Sequence, residues 1–350
     1  MRITLVTALL LAASVASPAL AATLMRSDAN TVLLDRGDIT PVAIWISQDS
    51  IIDANDQRVG ADRIKAAAKD GKIALAIPAD QRRYVLLQDD KGDVTVVAER
   101  VLPLEQGSNF RDIGGYVTKD GRTVRWGKAF RSGAMPLLSE ADYSLIKQLG
   151  VGSVVDLRSL EEREVAPDLV DDRTGALFIS NDYSLKPLMA NFGKGNGENV
   201  YQGMEKLLIP QLRALYQRIN ANEGAVIYHC SAGQDRTGMA TALLYDMLGV
   251  DRATILKDYH MSTALRRPQW EMPKVDPADY PNNPILKYYF SKDEAQRTIA
   301  EPLYTRSGAS HLAQFFTYVD AQYGGSEGFM KKALQLTDAD VEKLRATMLQ

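Results

Sequence analysis

Cysteine is nearly absent: the 350 residues include only Cys230. One thiol cannot close an internal disulfide, so a disulfide-framed fold is excluded. Nor does charge of one sign dominate. A net charge of -3 excludes a general pull toward nucleic acid or an anionic membrane, and any affinity for phosphate has to be local. Long apolar runs are missing too. The best candidate, Ile3 to Ala16, is shorter than the roughly 20 residues a membrane span requires, and no second candidate follows.

What is present points to two folded parts. At 45% hydrophobic residues, the chain has ample material for a packed core and more length than one typical domain needs. Met1-Arg2, the apolar run and Ser17-Pro18-Ala19-Leu20-Ala21 have the charged start, apolar middle and small-residue end of a secretory leader. Cleavage is expected after Ala21, giving a mature chain without a transmembrane segment in the periplasm or outside the cell. Residues 22–104 carry short apolar or alternating runs (Thr31–Asp35, Val42–Ile46, Ile73–Ile77, Tyr84–Leu87 and Val94–Ala98) separated by polar turns such as Asp89-Asp90-Lys91-Gly92. They predict a small all-β, sandwich-like domain. No catalytic constellation lies in it, and Trp45 and Tyr84 read as core aromatics.

From residue 105 the pattern changes. Ser139-Glu140-Ala141-Asp142 is a capping box ahead of a helix stopped by Gly150, and Val151 to Leu157 reads as a buried strand. Leu177 to Ser180 is the next strand, and Leu207 to Asn220 a helix with Pro210 near its start. Glycines between Lys186 and Lys206 predict a loop or short helix bordering a cleft. The stretch holding Pro268, Pro273, Pro277, Pro281 and Pro284 cannot be one regular helix. It reads either as a lid or as a surface excursion.

The most informative stretch is Ala225-Val226-Ile227-Tyr228-His229-Cys230-Ser231-Ala232-Gly233-Gln234-Asp235-Arg236-Thr237-Gly238, continuing as an apolar run to Gly249. Strand, tight loop and helix follow one another. Backbone N–H groups of a loop that opens a helix converge on one point, where the helix dipole adds positive character. Gly233 permits the turn, Arg236 offers a planar fork of donors, and a thiol in such a field ionises more readily than in water.

This Cys-x5-Arg arrangement resembles the signature of the protein tyrosine phosphatase superfamily. With Asn109-Phe110-Arg111-Asp112-Ile113-Gly114-Gly115-Tyr116 and Val154-Val155-Asp156-Leu157-Arg158-Ser159, the chain is similar to the bacterial tyrosine phosphatases that include secreted mycobacterial and listerial members. The resemblance covers residues 105–350. It implies an α/β fold with a central, mostly parallel sheet flanked by helices, and a metal-independent, cofactor-free phosphomonoester hydrolase. Cys230 would be the nucleophile. Arg236 with Ser231, Ala232, Gly233 and Gln234 would hold the phosphoryl oxygens, and Thr237 would assist at the sulfur. Arg111, Asp156 and Arg158 are candidate pocket residues, though each can equally serve as a structural charge partner. Asp182, by chain order, and Asp235, inside the loop, compete for general acid, with Asp156 third.

Many relatives carry lysine where this chain has Gln234, which weakens a phosphoinositide reading relative to phosphotyrosine on a protein or peptide. A dual-specificity enzyme, a phosphate-binding pseudophosphatase and a sulfur-transfer enzyme are the alternatives. The intact nucleophile argues against a pure binder, and Arg236-Thr237-Gly238 against sulfur transfer.

Overall fold

A computed structural model of the chain describes residues 21–66, 72–186 and 199–350. The expected leader, apart from Ala21, and most of the glycine-containing stretch after Lys186 lie outside the described residues. Among the described residues, no helix is long and apolar enough to cross a membrane.

The N-terminal part builds two antiparallel sheets. Strands β1 (Thr23–Asp28), β2 (Thr31–Asp35) and β5 (Lys72–Ala76) form one, in the order β1-β2-β5. Strands β3 (Ala43–Ser47), β4 (Gln57–Arg58), β6 (Tyr84–Gln88) and β7 (Val94–Ala98) form the other, in the order β4-β3-β6-β7. Alternation decides the faces: Val32 lies opposite Leu75 and Leu34 opposite Ile73, and all four are buried. They share one apolar core with Ile44, Val85, Leu87 and Val97 of the second sheet. The expected strands are therefore present and stacked. The segment is not purely β, because a helix, Ala61–Ala66, lies between β4 and β5.

The third sheet comprises β8 (Arg111–Asp112), β9 (Ala129–Ser132), β10 (Val151–Asp156), β11 (Leu177–Ile179) and β12 (Ala225–His229), in the order β11-β10-β12-β9-β8. Every pairing is parallel except β8 with β9. Along β12, Val226 and Tyr228 face a core shared with the helices Ile209–Ala221 and Asp235–Leu248. Ala225 and Ile227 face the opposite core, where Tyr143, Leu145 and Ile146 of the helix Glu140–Lys147 pack. A strand covered on both faces has to be apolar throughout, and all of β12 is buried. The capping box at Ser139 and Asp142 forms as the sequence predicts.

Parallel pairing also aligns the strand ends. Asp156 lies beside His229, and His229 beside Ser132, so the carboxyl ends of β10, β12 and β9 open at one edge, where ligand crevices of α/β sheets occur.

The two halves meet at β8, whose two residues point in opposite directions, as strand neighbours must. Asp112, fully buried, pairs with Arg82 and accepts the N–H groups of Gly114 and Gly127 at 2.8 Å each. Arg82 also donates to the Glu99 carbonyl at 2.5 Å. Burial raises the Asp112 pKa, with Arg82 opposing. Arg82→Met would strand this carboxylate in the interior, so a loss of about 3–5 kcal/mol is expected in denaturant unfolding. Arg122→Ala, which breaks an exposed pair with Asp120, should leave the midpoint nearly unchanged.

Candidate active site

The loop from Cys230 to Arg236 is held from outside by its carbonyls. The Ser231 carbonyl accepts the Ala134 N–H at 2.8 Å, the Ala232 carbonyl accepts Asn109 Nδ2 at 3.1 Å, and the Gly233 carbonyl accepts Arg131 Nη2 at 2.8 Å. His229 Nδ1 lies 3.4 Å from the Cys230 carbonyl. With these oxygens turned outward, the peptide N–H groups turn inward. Among the described residues, those of Ser231 to Arg236 have no protein acceptor, which makes the loop a concave anion cradle. Gly233 sits at φ 66°, where a Cβ would approach the Ser132 carbonyl oxygen to 2.5 Å, so glycine is required.

Cys230 is buried at the end of β12, and the helix Asp235–Leu248 begins five residues later. It ends as expected at Gly249, in the left-handed conformation. Beyond the cradle, Arg236 is fixed by Glu162. Nη1 donates to Glu162 Oε2 and Nη2 to Glu162 Oε1, both at 2.6 Å, and Nη1 also meets Tyr183 Oη at 2.9 Å. Glu162 takes Ser231 Oγ at 2.5 Å and caps its own helix through the Ser159 N–H at 2.8 Å. Burial pushes this carboxyl upward, but Arg236 and the hydrogen bonds from Arg236 and Ser231 outweigh it and hold the pKa at about 2. The bidentate pair occupies the end of the guanidinium. Nε–H and one Nη2–H remain, the parallel edge that matches two oxygens of a phosphoryl group.

A model of the tyrosine phosphatase family matches residues 102–350. The chain belongs to that family. It is 28% identical over 225 residues to a tyrosine-protein phosphatase of Nostoc commune, covering 62% of this chain and 73% of the relative. It is 26% identical over 283 residues to the triple specificity protein phosphatase PtpB of Mycobacterium tuberculosis, covering 69% and 96%. Among solved structures, TpbA of P. aeruginosa is similar at 17% identity and a TM-score of 0.25, over 40% of this chain and 71% of that one. This tyrosine-protein phosphatase thus has its family's region in the part that carries the cradle.

Several residues singled out in the sequence stand elsewhere than at a substrate surface. Arg111 is fully buried and donates to Asp258, Ser262 and Asn109, so it supports the loop from below. Arg131 completes the bracket, reaching Asp258 Oδ2 at 2.8 Å and the Gly233 carbonyl. The two guanidiniums hold the Asp258 carboxyl well below its usual range against the effect of burial. Arg158 and Asp156 are likewise buried and paired at 2.7 Å. Arg158 also pairs with Asp168, which lies 3.1 Å from His229 Nε2. Although Asp156, Asp168 and His229 are clustered, Arg158 supplies the positive charge between them. Burial opposes the Asp156 charge, but His229 and Arg158 hold its carboxyl below the usual carboxylate range. Pocket roles for Arg111, Asp156 and Arg158 thus give way to structural ones, because no surface of theirs is left for a substrate.

The two candidate acids differ. The Asp182 side chain is 71% exposed and paired with Arg163 on the outside, while its neighbour Tyr183 turns inward to Arg236. Asp235 stands on the loop and accepts Tyr201 Oη at 2.6 Å; Tyr201 also bonds Tyr259. Thr237 is buried in the first helical turn, and its hydroxyl has no partner among the described residues. Gln234 is buried and hydrogen-bonded away from the cradle.

Sequence reasoning missed Glu162, Tyr183, Arg131, Asp258 and Tyr201. Only Glu162 had a local signal: Ser159-x-x-Glu162 is a capping box directly after a strand. Glu162→Gln would free the end of Arg236, and a fall in kcat/KM of about 10–100-fold is expected in steady-state kinetics. The same pair makes stability acid-sensitive. Because the folded pKa of Glu162 is depressed, its contribution is present above the ordinary 4.5 and is lost as pH falls through about 2. The stability gap between wild type and Glu162→Gln should therefore close over that window in acid-unfolding measurements.

Proposed function

We propose that this enzyme is an exported, metal-independent protein-tyrosine phosphatase that works through a cysteinyl-phosphate. The observation that carries the reading is the edge of Arg236 left free by Glu162, beside a cradle of inward N–H groups around Cys230. The Cys230 thiolate attacks phosphorus while the bond to the tyrosine oxygen breaks, and Asp235 gives its proton to that oxygen. Water then attacks the phosphorus. The Asp235 carboxylate takes the water's proton, the S–P bond breaks, and phosphate and thiolate are released. Charge on the equatorial oxygens is met by the cradle and by Arg236 throughout.

Asp235 is favoured over Asp182 because it lies on the loop itself, fixed by Tyr201, whereas Asp182 is engaged with Arg163 at the surface. Export rests on the leader-like residues 1–21, and a two-domain division near residues 104–105 on the change of pattern there. Phosphotyrosine on a protein or peptide is the preferred substrate over a phosphoinositide, since Gln234 brings no charge to the loop.

Turnover of an aryl phosphate and a phosphotyrosine peptide in EDTA should fall by about 10³-fold or more in Cys230→Ser, with binding of the phosphopeptide retained. Equal rates in the two proteins would exclude the covalent route. Asp235→Asn should slow hydrolysis of phenyl phosphate by about 10²-fold and of p-nitrophenyl phosphate far less, because the better leaving group needs less protonation. Asp182→Asn should stay within about two-fold on both; the reverse pattern would move the acid to Asp182.

A further inference from the structure

Gln234 is 2% exposed, and both ends of its amide are used. Nε2 donates to the Glu301 carbonyl at 3.2 Å and to Thr263 Oγ1 at 3.3 Å, and Oε1 accepts Arg266 Nη1 at 2.9 Å. A lysine here would reach for the anion, whereas this glutamine ties a second arginine to the loop. Arg266 caps the helix Arg252–Leu265. Its Nε donates to the two Glu271 oxygens at 2.9 and 3.0 Å, and its Nη2 to Glu271 Oε2 at 2.7 Å. Glu271 is itself buried and held by Ser108 Oγ at 2.8 Å. The guanidinium is therefore fixed from two sides, yet the side chain remains 20% exposed.

Three of the five guanidinium N–H groups are thereby used, leaving one on Nη1 and one on Nη2. Gln234, which holds the guanidinium at Nη1, stands on the same loop as Cys230, so the cation lies beside the rim of the reacting centre. We propose that Arg266, held by Gln234 and Glu271, is a specificity-determining residue that binds a carboxylate flanking the phosphotyrosine of an acidic peptide. The inference rests on the phosphatase reading above and adds the substrate class. Two remaining N–H groups on a guanidinium already paired with Glu271 suit one carboxylate better than a multiply charged lipid headgroup.

Two phosphotyrosine peptides, one with Asp and Glu beside the phosphotyrosine and one with Asn and Gln, together with vesicles of phosphatidylcholine containing a phosphoinositide, test this. Wild type should prefer the acidic peptide by about five-fold in kcat/KM, and the preference should fade in 0.5 M salt, roughly where screening becomes short-ranged. Arg266→Gln should bring the ratio to about one, and Arg266→Lys, which keeps the charge without the fork, should restore part of it. Gln234→Leu, which releases Nη1, should also lower the ratio. Thermal midpoints identify folded variants; if Arg266→Gln does not fold, Arg266→Lys and the salt series carry the comparison. Equal losses on both peptides, with the ratio kept, would make Arg266 only a brace and overturn the proposal. So would a wild type that shows no acidic preference, or losses in Arg266→Gln confined to the vesicles. A wild type that turns over no phosphotyrosine or aryl phosphate overturns the underlying reading as well, and is thereby told apart.

Discussion

The site depends on the outward orientation of the loop carbonyls between Cys230 and Gly233. A peptide unit has two polar ends pointing opposite ways, so fixing one fixes the other. Asn109 comes from one segment of the chain, Arg131 and Ala134 from another, and each takes a carbonyl. The result is a set of converging N–H dipoles that exists before any ligand arrives, so little reorganisation is left for the binding step.

The buried ion pairs around the loop follow from the same need. Arg131 can reach the Gly233 carbonyl only if its charge is met, and Asp258 meets it together with that of Arg111. On the other side, Glu162 meets Arg236, and Asp156 with Asp168 meets Arg158. Replacing such pairs with apolar residues can cost little stability, so their presence says more about geometry than about folding energy. Each fixes a donor or acceptor of the loop region at hydrogen-bond accuracy.

How much of this could be read in the residues divides by range along the chain. The strand, loop and helix around Cys230 were legible, as were the capping box at Ser139 and the alternating strands before Leu104, because period, turn residues and caps are local properties. Glu162 was half legible: its capping role follows from Ser159, but its partner Arg236 is 74 positions away. For Arg111 the residues leave a pocket role and a structural charge pair equally open, since its partner Asp258 lies 147 positions on and no local pattern links the two. Whether Asp182 or Tyr183 turns inward was undecidable by spacing, because adjacent residues on an extended segment face opposite ways and one position reverses the answer.

Arg111 and Asp112, on either side of a single peptide plane, serve different halves of the protein. Arg111 belongs to the bracket beneath the phosphate loop, and Asp112 to the contact with Arg82. The N-terminal sheets and the family region are thus not freely interchangeable modules in evolution. A recombination that replaced the first hundred residues with an unrelated domain would leave a buried carboxylate one residue from the support of the nucleophile's loop. Only a newcomer presenting a cation at that point could be inherited without a compensating change at Asp112.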